Sequence, residues 1–232
     1  MYKNKSILAI VPARGGSKGI KKKNLKKINK ISLIGHVGLT LKKISFIDNK
    51  VLSTDNIDIK KEGIKFDIDV PFIRPKKISG DRVGDIDVLH HALQQSEKYY
   101  KKKFDYVMML QPTSPLRDYK QINNMIKKIV DNKYDSIWSI SKIDLKYHPY
   151  KQLLIKNDKL NYYDQKNGSK IIARQQLSES YIRNGICYIF ARNLIKLKKI
   201  INKNSSYEIV EGNYINIDNL DDIIKAKELM KL

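Results

Sequence analysis

The chain has 232 residues and a formal net charge of +22; 41% of its residues are hydrophobic and 30% charged, with 11 Gly, 6 Pro and one Cys. That is enough chain for one sizeable core with a small appended piece, and it excludes collagen-like and low-complexity scaffolds. No apolar run approaches the roughly 20 residues of a membrane span. The start, Met1-Tyr2-Lys3-Asn4-Lys5, lacks the pattern of a secretory leader, so a cytoplasmic protein with no membrane partner is expected. The lone Cys187 excludes an internal disulfide and a Cys-based zinc site, and fits a reducing compartment.

The basic balance, 46 Lys+Arg against 24 Asp+Glu, invites a nucleic-acid reading. However, 39 of those cations are Lys, and Ile (35) and Asn (18) are also frequent. All three have A/T-rich codons, so the charge reads as coding bias. The Lys runs at 21–23 and 101–103 are short and lack the interleaved aromatics that stack bases. No nucleic-acid partner is expected. The seven arginines, at 14, 74, 82, 117, 174, 183 and 192, carry more information, because a planar fork suits phosphates and carboxylates.

In chain order, Ser6 to Ala13 is a continuous apolar run, as in a buried parallel strand. A glycine-rich loop follows, Arg14 to Asn24. Leu33 to Ile44 has helical spacing behind Ser32 as N-cap. Strands are predicted at Lys50 to Asp55 and Lys65 to Val70, a long helix at Gly84 to Tyr100, and a strand at Tyr106 to Leu110. Asp118 starts a helix to Val130, with Gln121 at capping-box spacing. Ser136 to Ile140 reads as a strand. Lys151 to Ile172 is turn-rich and reads as an inserted hairpin. Gly185 to Ala191 resumes the core strand pattern, and Asn219 to Leu232 closes as an amphipathic helix. Alternating strand and helix signals argue an α/β fold with a mainly parallel sheet. Ligands in such sheets bind beyond the strands' carboxyl ends.

The strongest local signal is Pro12-Ala13-Arg14-Gly15-Gly16-Ser17-Lys18-Gly19-Ile20, followed by Lys23-Asn24-Leu25. Glycines let the backbone approach an anion. Arg14, Lys18 and Lys23 supply cations, and Asn24 a directional amide. The loop lacks a Walker ending and dinucleotide glycine spacing. After the central strand comes Gln111-Pro112-Thr113-Ser114-Pro115-Leu116-Arg117, stiffened by its prolines. Arg117 is expected either to touch ligand or to hold that loop.

This phosphate loop resembles the nucleotide-binding signature of the acylneuraminate cytidylyltransferases, the CMP-sialic acid synthetase family. Leu110 to Arg117 is similar to the family's second motif. Arg174-Gln175, Tyr181 and Arg183-Asn184-Gly185 are similar to the third, and Ile217-Asp218 with Asp221 or Asp222 and Ala226 to the fourth. The resemblance covers nearly the whole chain. It implies transfer of CMP from CTP to the anomeric hydroxyl of an acidic nine-carbon sugar, releasing pyrophosphate, for surface glycan biosynthesis. It also implies Mg²⁺ (or Mn²⁺) as cofactor and a nucleotide-diphospho-sugar-transferase-like, Rossmann-like fold. The chain would be a single domain, 1–232, with a homodimerisation segment at about 145–178.

By that pattern Arg14, Lys23 and Asp218 are catalytic. Ala13, Arg14, Gly15, Ser17, Lys18, Lys23, Asn24, Arg74, Asp81 and Gln111 would bind CTP. Gln111, Thr113, Ser114, Lys151, Arg174, Arg183 and Asn184 would bind the acceptor, with Arg174 forking its carboxylate from the partner subunit. Asp218 is the expected metal ligand, with Asn216 or Asp222 as further candidates. Two residues depart from the pattern. Asn216 stands where many members have a second Asp, and Lys21 where the loop usually has Pro. Rival readings are a cytidylyltransferase for Kdo or a phosphate- or phosphonate-bearing acceptor, and a basic nucleic-acid-binding protein.

Overall fold

The computed structural model describes residues 1–17 and 19–231. β1 (Ile7–Pro12) is central because Ile7 to Val11 are all fully buried, as in a strand covered on both faces. After the loop come the short antiparallel pair β2 (Lys27–Ile28) and β3 (Ile31–Ser32) and then α1 (Leu33–Lys43). Ser32 caps α1, its Oγ accepting from Gly35 N at 2.9 Å. β4 (Asn49–Ser53) leads into α2 (Ile57–Lys65), and α3 (Asp85–Tyr100) into β5 (Tyr106–Met109). α4 (Tyr119–Asp131) precedes β6 (Ser136–Lys142).

The hairpin is β7 (Leu153–Lys156) paired with β8 (Lys159–Tyr162). β9 (Tyr181–Ala191), α5 (Arg192–Lys196), β10 (Ser205–Ile209) and α6 (Leu220–Leu229) complete the chain. The main sheet runs β10-β6-β9-β5-β1-β4. β4 and β5 flank β1 in parallel, with Ile10 opposite Val51 and Met109, while β9 runs antiparallel to β5. The carboxyl ends of β1, β4 and β5 therefore lie side by side.

The expected strand over Lys65 to Val70 is not one. Asn56 accepts from Ile59 N at 3.1 Å and starts α2, which packs Ile59 and Gly63 inward. The alternation of Ile64, Phe66 and Ile68 that reads as a strand is the end of this helix and its exit. Only Asp69 makes an isolated parallel bridge, to Val51. At α4, Asp118 accepts from Lys120 N at 2.8 Å, so the cap is one-sided and Gln121 does not complete a capping box.

The chain divides into two compact units. The first comprises Met1–Ser139, Asn184–Glu208 and the chain from Gly212 onward; the second comprises Ile140–Arg183 with Ile209–Glu211. The first holds the aromatic packing of Trp138 on Tyr188 and Phe190, with ring centroids 4.5 and 5.6 Å apart. Cys187 is buried there, and burial pushes its thiol up to about 12. The second unit contains the hairpin, whose turn places Asn157 and Asp158 at positive φ (51° and 57°), as tight hairpin turns require. Among the described residues, no helix is long and apolar enough to cross a membrane.

Candidate active site

The loop after β1 is tied down at three points. Ala13 N donates to Ser53 O (3.0 Å), Gly15 N to Asp55 Oδ1 (2.8 Å), and Asn24 Nδ2 to Arg14 O (3.0 Å). Gly19 lies so close to the last segment that a Cβ there would meet Asp218 O at 2.5 Å. That segment is anchored in turn. Ile217 N donates to Thr113 O at 2.8 Å, and Ile217 packs into a small core with Ile20, Ile28, Leu33, Ile223 and Ala226. Apolar burial on both sides of the loop thus fixes where Asp218 emerges.

A cavity of about 290 Å³ opens at these strand ends, wholly within the first unit. Arg14, Ser17, Lys23, Asn24, Arg74, Asp81, Gln111, Thr113 and Asp218 all line it, so the structure brings together most residues expected to bind nucleotide. Ala13 and Gly15 act through the backbone bonds above, and Lys18 lies outside the described residues.

Two ion pairs cross the cavity. Arg14 Nη1 is 2.6 Å from Asp81 Oδ1, and Lys23 Nζ is 3.0 Å from Asp218 Oδ1. Arg74 is only 3% exposed. Its N–H donates to Thr54 O (2.7 Å) and its Nε to Ser79 Oγ (3.2 Å). Burial lowers its pKa, opposed by Asp55. Gln111 Nε2 donates to Asp85 Oδ2 at 3.2 Å, which orients the amide. Asp85 and Ser79 escaped the sequence reading. Asp85 opens a helix, where an acid is ordinary, and short hydroxyls carry no individual signal.

Behind Gln111 lies a buried polar cluster. Ser114 is 1% exposed, and its hydroxyl bonds to Asn184 O (3.3 Å) and to Asn216 Oδ1. Asn184 is fully buried, its Oδ1 accepting from Ser139 Oγ (2.6 Å) and Ile186 N (3.2 Å). Both residues are held by bonds within the protein. Arg117 holds the same loop: its Nε donates to Ile186 O (2.8 Å) and its Nη2 to the carbonyls of Gln111 and Gly185. Burial pushes its pKa down to about 10, so it stays charged at neutral pH. Lys151, Arg174 and Arg183 belong to the second unit, where Arg174 opens a 3-10 turn to Gln176 and is exposed.

The carboxylates at the cavity are hard-oxygen donors of the type that magnesium takes. Among the described residues no three His, Cys, Asp or Glu converge. Asp222 Oδ2 accepts from Asp218 N (2.8 Å) and Asn219 N (2.9 Å), closing the capping box of α6. Asn216 Oδ1 is taken by Ser114. Neither Asn216 nor Asp222 lines the cavity. Asp218 presents an exposed carboxylate at the cavity, as do Asp81 beside Arg14 and Asp85 beside Gln111. Mg²⁺ is commonly held by one or two carboxylates together with substrate phosphates.

The profile of the cytidylyltransferase family matches residues 8–229. The post-translational flagellin modification protein B of Campylobacter coli is 31% identical over 206 residues, covering 88% of this chain and 86% of that protein. The CMP-N,N'-diacetyllegionaminic acid synthase of Campylobacter jejuni is 30% identical over 207 residues, again 88% and 86%. In fold, the chain is similar to CMP:2-keto-3-deoxy-manno-octonic acid synthetase solved with CTP, at TM-score 0.71 and 13% identity over 97% of this chain and 98% of that one. The mostly parallel α/β sheet is that of the nucleotide-diphospho-sugar transferases, and the chain belongs to the cytidylyltransferase family of nucleotidyltransferases.

Proposed function

We propose that the protein transfers CMP from CTP to the anomeric hydroxyl of a nonulosonic acid. The acceptor oxygen attacks the α-phosphorus, the bond to the β-phosphate oxygen breaks, and pyrophosphate leaves as the hydroxyl proton is lost to solvent. The observation that carries this reading is the convergence of Arg14, Lys23 and Asp218 at one cavity beyond the ends of β1, β4 and β5. The legionaminic acid synthase among the relatives supports the acceptor class.

Each residue has a definite task. Arg14 and Lys23 bind and neutralise the triphosphate. Arg74 and Gln111, both pre-oriented by hydrogen bonds, position the nucleoside. Such positioning and neutralisation account for most of the catalysis in nucleotidyl transfer. Asp218 would hold Mg²⁺, which supplies charge neutralisation at the phosphates when bound. Arg174, Lys151 and Arg183 serve the acceptor. The hairpin unit exposes Ile155 (79%), Leu160 (68%) and Ile172 (92%). An apolar surface of that kind favours a partner, and we assign it to homodimerisation. The reaction belongs in the cytoplasm, where CTP is made.

The test is a matrix of nucleotides (CTP, UTP, ATP, GTP) against acceptors (sialic, legionaminic and pseudaminic acids, Kdo), read as pyrophosphate release with Mg²⁺. Turnover is expected with CTP and a nonulosonic acid, and little with ATP or GTP. Equal turnover with ATP would remove the assignment, and a preference for Kdo would move the acceptor class. A second expectation concerns Arg174. Arg174→Lys keeps the charge and loses the fork, so it should cost about 1.5–3 kcal/mol of acceptor binding. The acceptor KM should rise roughly tenfold to a hundredfold, with the KM for CTP little changed. Unaltered acceptor kinetics would place Arg174 outside the site.

A further inference from the structure

Each described cation assigned to the triphosphate already rests on a carboxylate: Arg14 on Asp81 and Lys23 on Asp218. The second pair has a consequence for the metal. The Lys23 ammonium sits 3.0 Å from Asp218 Oδ1, with a side chain only 18% exposed against 76% for Asp218. A divalent cation approaching Asp218 meets a like charge at close range. Its two candidate neighbours in the same segment lie off the cavity. Asp222 is spent on two backbone N–H groups of the α6 cap, and Asn216 is a neutral amide whose Oδ1 accepts from Ser114.

We propose that Lys23 and the divalent cation compete for Asp218, so that Asp218 takes the metal only when a triphosphate draws Lys23 away. The nucleotide then binds before its metal, and the free metal does not bind first. The inference rests on the roles given to Lys23 and Asp218 above. Its physical content is electrostatic exchange. The polyanion offers Lys23 a better partner than a single exposed carboxylate, and the freed carboxylate then faces a cation that the phosphates also hold.

The experiment measures Mn²⁺ binding by electron paramagnetic resonance without nucleotide, on the full chain and on Lys23→Met and Lys23→Gln. Asp218→Asn serves as background for scattered surface acids. Calorimetric titration of CTP into the unsubstituted protein in EDTA runs alongside. Asp218-dependent Mn²⁺ binding should be weak in the unsubstituted protein and about fivefold or more tighter in both Lys23 variants, since a like charge and a competing ion pair are gone. CTP should bind in EDTA. Equal Mn²⁺ affinity in all Lys23 forms overturns the competition, and CTP binding that needs metal overturns the order. Failure to bind CTP with or without metal would instead overturn the functional reading itself. Thermal melts of the two Lys23 variants check that both are folded.

Discussion

Asp218→Asn is expected to lower kcat by at least about a hundredfold while leaving the fold almost as stable as before. Charge neutralisation by a bound metal supplies several kcal/mol of barrier reduction, and Asp218 is the cavity carboxylate assigned to hold it. The stability side follows from geometry. The Asp218 side chain is 76% exposed, and an exposed ion pair contributes about 1 kcal/mol or less. Asp222→Ala is the contrast. It removes the acceptor for Asp218 N and Asn219 N, a capping loss of about 1 kcal/mol. For a chain of this size the Tm should fall by roughly 2–4 °C, with kcat within a few-fold of normal. Measuring kcat and Tm on both variants separates metal chemistry from helix capping, which adjacent acids in one sequence segment leave mixed. A destabilised yet fully active Asp218→Asn would mean that the metal is held elsewhere.

The two halves of the site differ in how far they could be read from residues. The loop from Arg14 to Asn24 was legible because glycines, cations and an amide stand together directly after a buried strand. Local order in the chain there equals local order in space. Asp218 was legible only through resemblance, because what brings it to Lys23 is the packing of Ile217 and Ile223 against Ile20 and Ile28, a contact across some 200 residues of chain. Ser114 and Asn184 are hard to read from residues for a different reason. A polar residue in a motif looks the same whether it faces ligand or a buried partner, and only burial separates the two. Here Ser139, Ile186 N and Asn216 satisfy them inside the protein. The α2 helix was missed because Ile64, Phe66 and Ile68 alternate like a strand, while the cap at Asn56 and the close packing of Gly63 on Leu52 select the helix.

Gly185→Ala is expected to be strongly damaging to both stability and nucleotide binding. Gly185 sits at φ +71°, and a Cβ there would lie 2.6 Å from Ser114 Oγ, 2.7 Å from Asn216 Oδ1 and 3.1 Å from Gln111 Oε1. The left-handed conformation alone costs an L-residue about 1 kcal/mol or a little more. Crowding adds about 1–3 kcal/mol, because Ser114 is locked by Asn184 and Asn216 and cannot swing aside. A total of about 2–4 kcal/mol corresponds to a Tm lower by roughly 5–15 °C. The relief that remains is to push Gln111 off Asp85, so the KM for CTP should rise as well. Gly212→Ala isolates the first contribution: Gly212 has φ +88° but no heavy atom within 4 Å of its added Cβ. Its Tm should fall by only the few degrees that backbone strain costs, with normal KM. The difference between the two variants measures how rigidly the buried cluster holds Gln111. Equal losses in both would show that Ser114, Asn216 and Gln111 yield freely, and that the nucleotide pocket is not pre-organised from below.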